Sequence, residues 1–367
     1  MSSPRRTPLH HVHQALGATF TEFAGWTMPL RYSGDAAEHN AVRGAAGLFD
    51  LTHMGEIRIS GPQAAEALDY ALVANASAIK PGRARYTMLC NAEGGVLDDL
   101  IVYRLGEQEF LIVANAANAA VVSDELARRV GGFDAEHQDV SDDYALIAVQ
   151  GPRAVDILAP LTDTDLDAVK YYAGYRATVA GKDALLARTG YTGEDGFELF
   201  VSPSDAEAVW QALSESGAEH GLQPTGLSCR DTLRLEAGMP LYGNELSAEL
   251  TPFHANLGRV VKLDKASDFV GKEALAKVAE QPTDRTLVGL TTSQRRAPRH
   301  GYRVLDADGA EIGVVTSGAP SPTLGHPIAM AYVDRAHSAP GTSLQVDIRG
   351  TAVPVEVAEL PFYRRNA

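Results

Sequence analysis

Over the first 280 residues, short apolar runs alternate with amphipathic stretches. The β-branched and aromatic runs Glu56–Ser60, Asp99–Leu105, Glu109–Ala114, Tyr144–Gln150, Ala184–Arg188 and Gly196–Val201 predict strands. Helices are predicted over Pro62–Val73, Ala116–Val130, Pro152–Leu158, Ser204–Ser214, Cys229–Ala237 and Lys272–Ala279. Several open on Pro or Ser, in a first turn whose N–H groups have no helical partner anyway. One pattern recurs. Ile59-Ser60-Gly61-Pro62 and Val149-Gln150-Gly151-Pro152 each end a strand and begin a helix, and Val201-Ser202-Pro203 is a looser copy. Duplicated units and convergent use of Gly-Pro as a helix start both account for it. From Gln281 to Phe362 the pattern changes to strand and turn, with a hairpin signal at Asp306-Ala307-Asp308-Gly309. About six strands in about 80 residues predict a small antiparallel barrel or sandwich. Ala279–Asp284 reads as the linker, so we divide the chain into 1–280 and 281–367.

A chain of 367 residues is too long for one ordinary core, and two or three domains are expected. The formal net charge of −15 opposes a polyanion, so nucleic acid is not an expected partner. Cys90 and Cys229 are the only cysteines, which fits a reducing compartment without a disulfide framework. There is no CxxC and no apolar run of membrane-spanning length. Arg5-Arg6 has no apolar stretch behind it, so no export signal is read and a cytoplasmic protein is expected. His10, His11 and His13 lack supporting carboxylates or cysteines nearby in sequence, and no metal is expected there.

Three segments carry candidate chemistry. In Gly94-Gly95-Val96-Leu97-Asp98-Asp99-Leu100 a glycine turn delivers two carboxylates to an apolar strand. Alternation places Asp99 with Ile101 and Tyr103, and Asp98 with Leu100 and Val102. One of the two must turn inward, where it needs a partner or a proton; a solvated strand start is the plain alternative. In Thr189-Gly190-Tyr191-Thr192-Gly193-Glu194-Asp195-Gly196-Phe197-Glu198 the glycines allow close approach of a ligand to the backbone, and Glu198 follows on a strand. A carboxylate there suits a planar donor pair, such as that of a pterin, or else faces solvent. In Cys229–Gly238, Arg230 and Arg234 fall one turn apart on one helical face, as ligand contacts or as a structural ion pair.

Together these segments resemble the aminomethyltransferase (T protein) family of the glycine cleavage system. Further matches run from end to end: Phe23-Ala24-Gly25-Trp26, Leu48–Met54, Thr316–Pro322 and Leu360-Pro361-Phe362. The resemblance implies an α+β fold of three domains in a clover-like arrangement, the first two interleaved and the last an antiparallel β-barrel. It implies transfer of methylene from aminomethyl-dihydrolipoyl H protein to tetrahydrofolate, releasing ammonia. Asp99 matches the essential aspartate and Glu198 the glutamate that holds the pterin. Tyr191 and Arg230 match pocket residues, Met54, Tyr103 and Asn115 channel walls, and Tyr363 a C-terminal tyrosine that closes the site. Asp99→Asn is expected to matter far more than Asp98→Asn. Iron–sulfur assembly relatives carry a cysteine motif where this chain has Thr189–Gly193. Flavin-fused oxidases have an extra domain that is not found here. A stand-alone demethylase of the same fold, or a folate binder without turnover, are the remaining readings. The family implies lipoylated H protein as partner, and we expect a monomer. The densest positive run, Arg295, Arg296, Arg299 and His300, is the candidate docking patch for an acidic partner, or simply a solvated loop.

Overall fold

The computed structural model describes residues 3–365. It is an α+β protein built on two large sheets and a closed barrel. The first sheet has six strands in the order Gly174–Val179, Lys182–Ala187, Gly196–Val201, Ala145–Gln150, Ala46–Asp50 and Leu222–Pro224, with only the last pair parallel. The second has five antiparallel strands in the order Arg83–Cys90, Val96–Gly106, Glu109–Ala114, Gly55–Ser60 and Glu136–Asp139. A small sheet at the start pairs Thr19–Phe23 with Trp26–Arg31.

Side-chain alternation gives each large sheet two apolar faces. One face of the six-stranded sheet (Ile147, Val149, Phe197, Leu199) packs on the helix Ala206–Gly217 through Val209 and Trp210. One face of the five-stranded sheet (Leu100, Val102, Phe110, Ile112) packs on the helices Ala64–Ala71 and Ala119–Val130. The two opposite faces meet each other. Phe49, Leu146, Leu185 and Phe200 of one sheet share a core with Tyr103, Leu111 and Val113 of the other. The molecule thus has a middle layer between its sheets as well as two helix-covered cores.

The last six strands, Arg285–Thr291 to Thr351–Ala358, close into an antiparallel barrel, as the strand-and-turn pattern predicts. Its interior is aliphatic. Its outer wall docks through Ile328, Met330 and Tyr332 against Met88, Val96 and Leu235.

The Gly-Pro units are equivalent in place. Gly61 and Gly151 both have positive φ (+127° and +138°), and each turns a strand of one large sheet into the helix behind it. The pattern missed the hairpin near the start, the strands Ala46–Asp50, Arg83–Cys90 and Gly174–Val179, and the helices His10–Ala15 and Asp35–Gly44. The helix His10–Ala15 carries the early histidines. His13 is buried, 2.9 Å from the Asp50 carboxylate and 2.9 Å from the Tyr32 hydroxyl, with its ring against Trp210.

Candidate active site

Asp98 and Asp99 take opposite faces of the strand Val96–Gly106, as alternation predicts. The turn before them requires glycine: a Cβ on Gly95 would lie 1.7 Å from the Ala248 carbonyl oxygen. Asp99 faces the middle layer with Ile101 and Tyr103 and is half-buried. Its carboxylate accepts hydrogen bonds from the Tyr86 hydroxyl at 3.0 Å and the Asn115 amide at 2.9 Å. Asp98 faces the helix-covered core and is wholly buried. Where the pattern makes it the lesser partner, the structure makes it the more enclosed one, with three donors converging on it. Burial raises both carboxyls above the usual range; mutual repulsion adds to the rise at Asp98, while bonds from Tyr86 and Asn115 temper it at Asp99.

Glu198 enters the same layer from the opposite sheet, beside Phe197 and Leu199 in sequence but on the other face. It accepts from the Thr189 hydroxyl, and the Tyr103 hydroxyl lies 3.4 Å away. Burial, then the Glu198 charge, push the Tyr103 phenol well up, so it remains a donor at neutral pH. The glycines of the 189–196 segment serve a different end from the expected one. A Cβ on Gly190 would lie 2.0 Å from Gln150 Oε1, and one on Gly196 would lie 2.5 Å from the Val149 carbonyl oxygen. The close approach is to the protein's own strand Ala145–Gln150, because the segment wraps across its end.

The two arginines of the helix Leu227–Glu236 part company. Arg234 is buried in an ion pair with Glu245 at 2.9 Å and also bonds Ser317 of the barrel at 2.7 Å. Arg230 lies over the Tyr191 ring at 4.7 Å, and the Tyr191 hydroxyl is anchored on the Pro240 carbonyl. Met54 packs against the middle layer, half-buried. Asn115 bridges the two aspartates. Tyr363 stacks on Arg43 at 4.0 Å, where Arg43 also pairs with Glu194 and Glu236. Against the pull of burial, hydrogen bonds from His39 and Ser321 hold Glu236 down at about 2. Tyr363 therefore sits where a helix of the first region, the 189–196 segment and the C-terminal tail converge. Arg295, Arg296, Arg299 and His300 are exposed on the barrel.

Sequence reasoning missed four polar groups here. Tyr86 stands across the sheet from Ile101, one row from Asp99, and only the strand register reveals it. His53 is buried with its Nδ1 unpartnered among the described residues; burial and then the Arg230 charge hold its pKa well below the usual range. Glu56 projects from beside Val113 with Oε1 unpartnered, and burial pushes its carboxyl well up. Glu245 Oε1 is likewise buried and unpartnered. Carboxylates from both sheets thus converge on one layer whose rim also carries an arginine, an imidazole and phenols. Such a layer suits a flat, polar-edged ligand between apolar walls and can exchange a proton with it.

Comparison with known proteins agrees with this architecture. Residues 9–265 match the GCVT N-terminal domain, and residues 285–364 the glycine cleavage T-protein C-terminal barrel domain. The chain belongs to the glycine cleavage T-protein family. It is 85% identical to the aminomethyltransferase of Saccharopolyspora erythraea over the full length of both chains. It is 65% identical to that of Streptomyces avermitilis, over 100% of this chain and 99% of the relative. The crystal structure of glycine cleavage system aminomethyltransferase T from Bartonella henselae superposes with a TM-score of 0.93 at 38% identity, covering 98% of each chain. The protein is an aminomethyltransferase of the glycine cleavage system.

Proposed function

We propose that the middle layer is the folate site and that the enzyme moves the methylene of aminomethyl-dihydrolipoyl H protein onto tetrahydrofolate, forming 5,10-methylenetetrahydrofolate and releasing ammonia. The observation that carries this reading is that Asp99 and Glu198 face one apolar layer from two different sheets. Among the described residues, buried atoms on His53 and Glu56 have no hydrogen-bond partner, which supports a layer with polar capacity left for a ligand.

Tetrahydrofolate supplies the nucleophile, its N5. The protein's part is to orient, exclude water and manage charge. Glu198, held by Thr189, accepts from the pterin's donor edge. Tyr191 and Arg230 flank the ring, with Met54, Tyr103 and Asn115 as channel walls. Asp99, aimed by Tyr86 and Asn115, orients the folate and stabilises the positive charge that develops during transfer. Its raised proton affinity suits it to take or return a proton as ammonia leaves. Apolar walls keep water from a carbon that hydrolyses readily. Tyr363 closes the site from the tail. We place the working enzyme in the cytoplasm as a monomer, divide the chain at 280/281, and assign docking of acidic H protein to Arg295, Arg296, Arg299 and His300.

The test is reconstitution with aminomethyl-loaded H protein. Folate-dependent ammonia release with formation of methylenetetrahydrofolate supports the reading. Ammonia release that is indifferent to folate overturns it.

A further inference from the structure

Asp98 is more enclosed than Asp99, and the proposed mechanism does not use it. It faces Leu100 and Val102 on the helix-covered side. Its carboxylate accepts from the backbone N–H of Asn115 at 2.9 Å, the Asn115 amide at 2.9 Å and the Asn118 amide at 2.7 Å. The same Asn115 nitrogen lies 2.9 Å from Asp99 Oδ1 and 3.1 Å from the Asp99 carbonyl oxygen. An amide nitrogen has two hydrogens. Here they are drawn toward two carboxylates on opposite faces of one strand, at the point where the next strand ends.

We propose that Asp98 is a positioning residue that aims Asp99 through the carboxamide of Asn115; this rests on Asp99 being the group at the reacting atoms. With Asp98 as anchor, the Asn115 side chain cannot rotate without abandoning an acceptor on each side. Without it, the amide swings away and, among the described residues, Asp99 keeps only the Tyr86 hydroxyl as a side-chain donor. A purely structural role, in which Asp98 only ties down the turn Ala116–Asn118 through the Asn115 backbone N–H and the Asn118 amide, costs stability and leaves turnover alone.

Asp98→Asn is nearly isosteric but puts an NH2 against converging donors. We expect kcat to fall about 10-fold, since small misplacements at a reacting centre cost up to about 10²-fold, with folate Kd and the KM for H protein changed by less than about twofold. In an Asn115→Ala background the same substitution should lower kcat by less than about twofold, because the relay is already cut. An unchanged kcat in Asp98→Asn, or losses that multiply in the double variant, overturns the proposal. If Asp98→Asn does not fold, Asn118→Ala decides. It keeps the carboxylate and removes one anchor: a loss of about threefold in kcat at constant folate Kd supports the relay, and an unchanged kcat overturns it. Asp99→Asn serves as control. Full turnover there removes the site assignment itself, whereas loss there without loss in Asp98→Asn removes only the relay.

Discussion

The middle layer and the barrel interior are both made of strand side chains facing strand side chains, yet they differ in what they bury. The barrel encloses Leu290, Val304, Val315, Leu344 and Val346 with their aliphatic neighbours. The middle layer encloses Asp99, Glu198, Glu56 and the Tyr103 hydroxyl among Phe49, Phe200 and Val113. Polar burial without full satisfaction is costly, and a bound ligand or water is one way such groups gain the missing partners. The barrel contributes stability through its interior and contacts through its outside. In the proposed reading, the layer between the sheets contributes chemistry.

The largest effect expected is on the barrel side. Leu290 is 1% exposed, and Leu290→Ala should cost about 2–5 kcal/mol of stability. Denaturant titration should show the loss while calorimetry finds folate affinity unchanged. A parallel loss of affinity would erase the division of labour. On the layer side, Asp99→Asn should cut kcat by about 10²-fold or more with folding and folate binding largely intact. Steady-state kinetics beside a thermal melt checks this, and a collapse of the melt would make Asp99 a structural residue.

Glu198→Ala should weaken folate binding by about 1.5–3 kcal/mol, the scale of hydrogen bonds to a charged group. Unchanged calorimetric affinity would take Glu198 out of the pocket. On the barrel's outside, charge reversal at Arg295 and Arg296 should raise the KM for H protein severalfold at low salt without touching folate affinity. The defect should shrink as salt rises, because screening weakens attraction and repulsion alike. Kinetics that ignore the reversal at low salt would move the docking site elsewhere.

The smallest effect concerns Glu56. Its native pKa is raised, so the folded state holds the proton more tightly than the unfolded one. The associated stability is fully present below the unfolded value near 4.5 and declines as pH rises toward the native one. Glu56→Gln should flatten that decline and melt higher than the parent at pH 8, with little gain at pH 4. Identical pH dependence in the two proteins would mean that Glu56 is solvated.

Residues with a strong local signature were legible without coordinates. The glycine turn with Asp98-Asp99 and the 189–196 segment with Glu198 each stand out over fewer than a dozen consecutive positions, and the barrel stands out through its strand spacing over about 80 residues. Tyr86, His53 and Glu56 did not, because each is an ordinary residue for its local element. Tyr86 matters only through register, which sets it one row from Asp99. The glycines of 189–196 were noticed for the wrong reason, since nothing local shows that the backbone they release is pressed against Gln150.

The sequence by itself determined the two-sided alternation of the strand Val96–Gly106, the aliphatic barrel and the kind of protein this is. Alternation is a two-residue property of the extended chain, and a family's motifs persist in order along it. Only the tertiary structure decided which face of that strand meets the other sheet, and so which aspartate looks onto the layer and which is locked behind it. It also split Arg230 from Arg234, although both sit on one helical face one turn apart. Arg234 meets Glu245 and the barrel, while Arg230 meets Tyr191. The reason is physical: a side chain's partners in a folded protein come from segments distant in the chain, and no local pattern encodes the distance to them.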